Sequence, residues 1–244
     1  MKEKVLAVIP ARIGSTRLKR KMLADIHGKP LVWHTWNQAR KAKRVNHVVV
    51  ATDSKEIRDA LLPYGVDVVM TPTATKTGSD RVAEAAERFK KFKPSIIVNI
   101  QGDEPMMPAR AIDLAVELLI RNPKALMSTV AAPITSGTDL LDPNIVKVAL
   151  NTKGEALYFS RSCIPYKREK TSQKIYKHFG LYGFRPNFLK KYVSLPRTSL
   201  EKTESLEQLR ALEHGFPIQV GIGKFEHIEV NTKEELESVR RLMR

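Results

Sequence analysis

The sequence predicts an α/β protein with a mainly parallel, Rossmann-like sheet that carries helices on both faces, plus a smaller antiparallel layer from the second half. Three observations support this fold class. Short runs rich in Val and Ile alternate with amphipathic helical patterns, turn residues separate them, and strand patterns crowd together with few helices after about residue 125. With 244 residues, 42% of them hydrophobic, we expect a single domain over 1–244 with a lobe at about 125–200.

The first hundred residues repeat a strand followed by a helix. Buried strands are predicted where short apolar runs are bounded by turn residues, at Lys4 to Pro10, His47 to Ala51, Val66 to Met70 and Ile96 to Ile100. Helices are predicted where apolar residues recur at helical spacing between charges, at Leu31 to Lys43, Lys55 to Leu62, Arg81 to Phe92 and Pro108 to Arg121. Strands joined through helices pair in parallel, so this part predicts the parallel sheet.

The second half is predicted to contain closely spaced strands with few helices between them. Closely spaced strands are predicted at Leu126 to Pro133, Ile145 to Leu150, Leu157 to Ser160 and Phe179 to Phe184, which indicates an antiparallel layer. The chain then returns to helices at Phe188 to Val193 and Ser205 to Glu213, strands at Ile218 to Gly221 and His227 to Val230, and a closing helix from Thr232.

Composition excludes several classes of function. Cys163 is the only cysteine, so neither an intrachain disulfide nor a cysteine-built zinc site is expected. No apolar run approaches membrane-spanning length and the first residues lack a signal-peptide pattern, so we expect a cytoplasmic protein without a membrane partner. The net charge of +16 favours anionic partners, which include nucleotides, carboxylates and RNA.

A basic loop follows the first predicted strand, where open α/β sheets bind ligands. It runs from Pro10 to Lys21 and contains five cations, two hydroxyl groups and Gly14. Guanidinium and ammonium groups beside backbone amides are suited to phosphate, although a solvated basic loop is the alternative. The loop matches neither the dinucleotide-binding fingerprint nor the P-loop motif, which argues against a dehydrogenase and against a P-loop nucleotide hydrolase.

Carboxylates follow the fourth predicted strand in the segment Asn99 to Pro105. Asp103 can bind magnesium, which prefers one or two carboxylates together with phosphate oxygens and water. The alternative for Asp103, and the better one for Glu104, is a turn that caps the next helix.

Three further segments carry polar side chains with an ordinary structural alternative. The segment from Thr77 to Arg81 resembles both a helix cap, through Ser79 or Asp80, and an anion or base-edge contact site. An arginine at a helix start hints at a nearby anion or carboxylate. On the strand that contains His178 and Tyr182, alternation places both on one face, where they form either a sugar site or a hydrogen-bonded core. Glu207 and Gln208 lie on what reads as an amphipathic helix.

Taken together and in order, the segments resemble the 3-deoxy-manno-octulosonate cytidylyltransferases, also called CMP-KDO synthetases, and more distantly the CMP-sialic acid synthetases. The resemblance covers nearly the whole chain. Its strongest pieces are IPARIGSTRL with Lys21, VVVATDSKEI, TGSDRVAE, VNIQGDEP, NIVKVAL with ALYFSRSCIPY, KHFGLYGFR and ESLEQLRALEHG.

The resemblance implies a magnesium-dependent enzyme that transfers a cytidylyl group from CTP to 3-deoxy-manno-octulosonate or a related sugar acid, for lipopolysaccharide biosynthesis. It implies catalytic roles for Lys21, Asp103 and Arg161, with Mg²⁺ on Asp103. CTP would be held by Arg12, Ser15, Arg17, Lys21, Thr77, Ser79, Arg81 and Gln101. The sugar acid would be held by Arg161, His178, Tyr182, Glu207 and Gln208. A homodimer formed through the 125–200 lobe is also implied.

This chain departs from the family pattern in three respects: the phosphate loop, Asn231 and Glu229. Where the family usually has Arg-Leu-Pro-Gly-Lys-Pro, this chain reads Arg17-Leu-Lys-Arg-Lys-Met22, so a glycine-containing turn becomes bulkier and more basic. The late Gly-Val-Asp-Thr, whose aspartate is the second magnesium ligand, is here Glu229-Val-Asn231-Thr. Asn231 offers an oxygen without a charge, and Glu229, which points to the same face of an extended segment, could substitute.

These departures leave alternatives open. The chain could be a nucleotide-binding paralogue without catalysis, or a cytidylyltransferase for a modified octulosonate, such as an amino sugar, or for a nonulosonic acid. An RNA-binding domain is the remaining alternative, because of the charge, but the sequence lacks interleaved aromatic residues and an RNA module. We therefore expect CTP and an acidic sugar as partners and no specific nucleic acid.

Overall fold

The protein is described from a computed structural model, which covers residues 3–14, 18–75, 77–169, 172–226 and 228–243. The chain divides into two compact units. Unit 1 comprises residues 1–113 and 226–244, and unit 2 comprises residues 114–225. Within the described residues, no helix has the length and apolar character needed to cross a membrane. The predicted lobe at 125–200 lies within unit 2.

Unit 1 contains a four-stranded parallel sheet. Its strands are β1 (Val5–Ala11), β4 (His47–Thr52), β5 (Asp67–Met70) and β6 (Ile96–Ile100), in the order β6–β1–β4–β5. All residues of β1 and β6 are buried, which is expected of parallel strands covered on both faces. A separate small hairpin pairs β2 (Asp25–Ile26) with β3 (Lys29–Pro30) in antiparallel fashion.

Helices connect these strands as the sequence predicts. They are α1 (Leu31–Ala39), α2 (Lys55–Leu61) and α3 (Gly78–Arg88), and a fourth helix, α4 (Ala109–Arg121), follows β6 and continues into unit 2. Because parallel strands joined through helices place all their carboxyl ends at one edge, the loops after β1, β4 and β6 share that edge. This edge carries the residues that the sequence singled out in unit 1.

Unit 2 is built around strands with mostly antiparallel pairing. They are β7 (Met127–Pro133), β8 (Lys147–Leu150), β9 (Ala156–Ser160), β10 (Tyr176–Phe184) and β11 (Ile218–Ile222). β10 pairs with both β7 and β8, and β8 pairs with β9, all antiparallel, whereas β11 runs parallel to β7. The predicted antiparallel layer is therefore confirmed, and with it the mixed α/β fold class.

The helices of unit 2 are short. They are α5 (Gly137–Leu141), α6 (Pro186–Ser194), α7 (Ser199–Glu204) and α8 (Leu209–Glu213). The predicted helix from Ser205 to Glu213 is wrong in its first half. Ser205 adopts the left-handed region, with φ 52°, and ends α7, so a turn separates α7 from α8.

The chain returns to unit 1 for a final helix, α9 (Lys233–Leu242), which starts after Thr232 as predicted. Val230, Leu236 and Val239 of this return pack with Ile26 and Leu31 in one buried cluster. The predicted strand from His227 to Val230 is wrong for 228–230, which are irregular, and His227 lies outside the described residues. The reason is that the Val230 N–H donates to the Asp103 carbonyl, in a loop, instead of to a neighbouring strand.

Candidate active site

The basic loop after β1 brings Lys21 into a buried position. Arg12 follows β1 directly, whereas Ser15 and Arg17 lie outside the described residues. Arg20 adopts the left-handed region, with φ 55°, and a short 3-10 helix, Lys21–Leu23, begins after it. This turn directs Lys21 inward, so that only 9% of its side chain is exposed.

Asp103 lies in contact with Lys21. The Lys21 Nζ donates to Asp103 Oδ2 at 2.5 Å. A tight turn after β6 sets this position, because the Thr35 hydroxyl donates to the Gly102 carbonyl at 2.8 Å. A Cβ atom at Gly102 would lie 2.9 Å from the Pro10 carbonyl oxygen, so only glycine allows this close approach of the turn to β1.

Asn231 is the third member of this cluster. Its Oδ1 accepts a hydrogen bond from Lys21 Nζ at 3.0 Å, and its backbone N–H donates to the Glu235 carboxylate at 2.6 Å. The bond from the Val230 N–H to the Asp103 carbonyl, at 3.0 Å, holds the two segments side by side. Residues that are far apart in sequence thus gather oxygen atoms around one ammonium group.

Glu229 joins the cluster through Asn231. The Asn231 side-chain amide donates to Glu229 Oε1 at 2.6 Å, so both side chains point the same way, as the extended segment predicts. Although the residue as a whole is exposed, many protein atoms surround its carboxyl group. This desolvation, together with repulsion from Asp103 and Glu104, raises the pKa of Glu229 to about 7.

The cluster fits a hard divalent cation by the chemistry of its donors. Carboxylate and amide oxygens are the ligands that magnesium accepts, and the oxygens of Asp103 and Asn231 already converge on a cation, the Lys21 ammonium. Across the described ranges, no group of three or more His, Cys, Asp or Glu side chains forms a metal cage. A metal here would therefore depend on phosphate oxygens and water for much of its coordination, as magnesium at nucleotides commonly does.

The start of α3 forms the second part of the unit 1 site. Thr77 caps the helix, and Asp80 closes a capping box by accepting from the Thr77 N–H at 2.9 Å. Of the two capping candidates, Asp80 takes part in the cap, whereas Ser79 is a buried residue inside the first turn. Gln101 lies beside this turn, since its Oε1 is 3.9 Å from the Cβ position of Gly78.

Arg81 is held by a carboxylate, which the sequence hinted at without identifying it. Its side chain is 1% exposed, Nη2 donates to Asp53 Oδ2 at 2.9 Å and Nη1 donates to the Thr71 hydroxyl at 2.5 Å. The Arg81 Nε is buried without a partner among the described residues. Asp53 follows β4, so the rule that ligands gather after parallel strands would have found it.

Unit 2 holds Arg161 in a network of backbone and carboxylate acceptors. The Arg161 Nε donates to the Glu204 carbonyl at 2.9 Å and Nη1 donates to the Pro143 carbonyl at 2.9 Å. The Glu204 carboxylate accepts the Arg161 backbone N–H at 3.0 Å and the Ser160 hydroxyl at 2.6 Å. The remaining N–H groups of the guanidinium are suited to a carboxylate.

His178 and Tyr182 share one face, with ring centroids 5.4 Å apart, despite an irregularity in the pairing of β10 between them. The Thr129 hydroxyl donates to the Leu181 carbonyl at 2.7 Å and contacts His178 Nε2 at 2.8 Å. Because a hydroxyl has one proton, His178 donates from Nε2. Tyr182 is buried, which raises its pKa well above the usual value.

Glu207 and Gln208 lie in the turn between α7 and α8. Gln208 is buried, and the Tyr192 hydroxyl donates to the Glu207 carbonyl at 2.6 Å, which fixes the turn against α6. The turn, instead of the predicted helix, presents the two side chains. Sequence periodicity could not detect it, because Leu206 and Leu209 fit a helix equally well.

Comparison with known proteins gives one family. The chain matches the sequence profile of the cytidylyltransferase family over residues 6–228. It is 48% identical over 242 residues to the 3-deoxy-manno-octulosonate cytidylyltransferase of Chlorobium chlorochromatii, covering 98% of this chain and 96% of that protein. The protein of the same name from Chlorobaculum parvum is 48% identical over 244 residues, with 98% and 97% coverage.

Comparison with solved structures indicates the same family. A CMP:2-keto-3-deoxy-manno-octonic acid synthetase complexed with CTP superposes with a TM-score of 0.92 at 38% identity, covering 98% of both chains. The 4-diphosphocytidyl-2C-methyl-D-erythritol synthase of Anaerococcus prevotii, at 13% identity and a TM-score of 0.64 over 100% of this chain and 99% of that one, shares the fold alone. The chain therefore belongs to the cytidylyltransferases, in the 3-deoxy-manno-octulosonate cytidylyltransferase (CMP-KDO synthetase) family.

Proposed function

We propose that this protein transfers a cytidylyl group from CTP to 3-deoxy-manno-octulosonate, or a closely related sugar acid, releasing pyrophosphate and supplying lipopolysaccharide biosynthesis. The observation that carries the proposal is the meeting of Lys21, Asp103 and Asn231 in a chain that is 48% identical to relatives named for this reaction. The anomeric hydroxyl of the sugar acid attacks the α-phosphorus of CTP, so no covalent enzyme intermediate forms.

In this proposal the unit 1 residues bind CTP. Arg12, Ser15, Arg17 and Lys21 hold the triphosphate, and their charge offsets the negative charge that develops as pyrophosphate leaves. Thr77, Ser79, Arg81 and Gln101 surround the cytosine and ribose. Arg81 acts from a fixed position, because Asp53 and Thr71 hold its guanidinium.

The unit 2 residues bind the sugar acid. Arg161 pairs with its carboxylate, for which a guanidinium has the matching donors. His178, Tyr182, Glu207 and Gln208 contact its hydroxyl groups. The hydrogen bond between His178 Nε2 and the Thr129 hydroxyl holds the imidazole ring in one orientation. A fixed ring can make a directed hydrogen bond to one hydroxyl group of the sugar.

We propose Mg²⁺ as the cofactor, held by Asp103 with Asn231, and with Glu229 as a substitute for the missing carboxylate. When bound, the metal would neutralise phosphate charge and orient the α-phosphate. The support is the donor set and the bond between Asn231 and Glu229 at 2.6 Å. Glu229→Gln should raise the magnesium concentration needed for half-maximal CTP binding, and Asn231→Asp should lower it.

Calorimetric titration of CTP at a series of magnesium concentrations measures this dependence without turnover. Asp139→Asn is the matched control, because Asp139 contacts Lys177 in unit 2 and lies outside the cluster. If Asn231→Asp and the wild-type protein saturate at the same magnesium concentration, Asn231 is not a weakened ligand. If Glu229→Gln leaves the magnesium requirement unchanged, the substitution by Glu229 is excluded.

Pyrophosphate release tests the activity itself. We expect release with CTP, magnesium and 3-deoxy-manno-octulosonate, and none when the sugar acid is omitted. A panel with amino-substituted octulosonates and nonulosonic acids tests the modified-sugar alternative, which Asn231 motivates. CTP binding without release for any sugar would instead establish a non-catalytic paralogue.

A homodimer and a cytoplasmic location stay predictions, drawn from the resemblance and from composition. Sedimentation equilibrium over a range of protein concentrations tests the dimer, and a constant mass near the 27.6 kDa of one chain would contradict it. Specific RNA binding is not part of the proposal, and RNA affinity that persists as salt is raised would contradict that exclusion.

A further inference from the structure

Unit 2 contains a completely buried lysine, Lys147, at the start of β8. Its relative exposure is 0%. The Nζ donates to three backbone carbonyl groups, those of Asp142 at 2.7 Å, Ile145 at 2.8 Å and Arg161 at 2.8 Å. An ammonium group has three N–H donors, so each of its protons has an acceptor.

Packing alone does not account for a lysine at this position. Burying a charge is unfavourable, and a methionine of similar length would fill the same space without that cost. The ammonium group stabilises the close approach of three carbonyl oxygens, which would repel one another without a cation among them. Lys147 therefore acts as a tethered cation that ties the 142–145 turn to the end of β9.

Both ends of Arg161 depend on this arrangement. Lys147 binds the backbone carbonyl of Arg161 directly. It also binds the carbonyls of Asp142 and Ile145, which flank Pro143, and the Pro143 carbonyl is the acceptor for Arg161 Nη1. Glu204 completes the support by accepting the Arg161 backbone N–H and, through its carbonyl, the Nε.

We propose that Lys147 is a positioning residue for the sugar acid, which fixes the guanidinium of Arg161 in the orientation that receives the substrate carboxylate. The inference rests on the proposed function, in which Arg161 pairs with that carboxylate. Lys147 itself contacts no substrate, because all its protons are bound to the chain's own carbonyls.

The test uses Lys147→Met in the full-length protein, with KM measured separately for the sugar acid and for CTP. A misplaced guanidinium weakens the sugar contact, so the KM for the sugar acid should rise by about tenfold or more while the KM for CTP stays within about twofold. Ser128→Ala is the matched control. Its hydroxyl is equally buried and donates to the Ala115 carbonyl at 2.7 Å, away from Arg161.

A double-mutant cycle with Arg161→Lys identifies the route of the effect. If Lys147 acts through Arg161, Lys147→Met should change the sugar KM much less in the Arg161→Lys background than in the wild type. Additive effects in the cycle would overturn the inference. Equal changes in both KM values, or no change in either, would also overturn it.

Two further outcomes keep the test decisive. If Lys147→Met does not fold, Lys147→Gln, which keeps amide donors, serves the same comparison, and failure of both to fold would assign Lys147 to stability alone and overturn the inference. A wild-type protein that releases no pyrophosphate would overturn the proposed function and this inference with it. If the wild type is active but the Lys147 variant changes the KM values for the sugar acid and for CTP equally, only this inference is overturned.

Discussion

Removing the carboxylate of Asp53 should destabilise unit 1 strongly, because it leaves the Arg81 charge buried. The Arg81 side chain is 1% exposed and Asp53 is 18% exposed. Removing one partner of a buried ion pair costs about 3–5 kcal/mol, and the partial exposure of Asp53 places Asp53→Ala near the lower end, at about 3 kcal/mol. For a chain of this length, that corresponds to a fall in Tm of roughly 6–12 °C.

Urea denaturation and calorimetric melting measure this change. Asp59→Ala is the matched control, because the pair of Arg58 and Asp59 is also in unit 1 but largely exposed, and should cost less than about 1 kcal/mol. The double substitution Asp53→Ala with Arg81→Met should recover stability relative to Asp53→Ala, since it removes the unpaired charge. The reasoning is refuted if Asp53→Ala costs no more than the control, or if the double variant is no more stable than Asp53→Ala.

Substitutions at three further positions test local features. Arg20→Gly should be more stable than Arg20→Ala by about 1 kcal/mol in urea denaturation, because residue 20 has φ 55° and both variants lose the same ion pair; equal midpoints would contradict the left-handed conformation. Gly102→Ala should cost about 1–3 kcal/mol and weaken CTP binding in calorimetry, because a Cβ would lie 2.9 Å from both Met22 and the Pro10 carbonyl; wild-type stability would exclude that contact. Burial lowers the pKa of His34 below its usual 6.5, so as the pH falls the unfolded chain takes up a proton at this residue before the folded protein does. The stability that depends on neutral His34 is therefore present above pH 6.5 and is lost as the pH falls below it. His34→Gln should therefore reduce the loss of stability between pH 7.5 and 5.5, and an unchanged loss would contradict this assignment.

The parallel sheet could be predicted from the sequence because its strands are buried on both faces. The predicted strand Ile96 to Ile100 is identical to β6. The prediction for β1 is shifted by one residue, and those for β4 and β5 each differ by one residue at one end. A continuous apolar run bounded by turn residues marks such strands in the sequence itself. The helix α3 was predicted to begin at Arg81, three residues late, because Thr77 caps it and its first turn has no apolar stripe.

Parts that depend on contacts distant in sequence could not be predicted. The strand-end rule explains why the loops of Lys21, Asp103 and Asp53 lie at one edge of the sheet, but which side chains pair there, and the burial of Lys147, depend on how loops fold over one another. The 228–230 segment has the apolar alternation of a strand, yet Val230 bonds to the carbonyl of Asp103 in a turn. The left-handed Ser205 likewise interrupts a sequence pattern that is continuous for a helix.

The bond from the Val230 N–H to the Asp103 carbonyl has a consequence for synthesis on the ribosome. Unit 1 is discontinuous, and the whole of unit 2 is translated between Asp113 and Glu226. More than a hundred residues are therefore synthesised after Asp103 before Asn231 is available to pack beside it. A nascent chain halted inside unit 2 should lack the oxygen cluster altogether, so the cluster can form only after all of unit 2 has been translated.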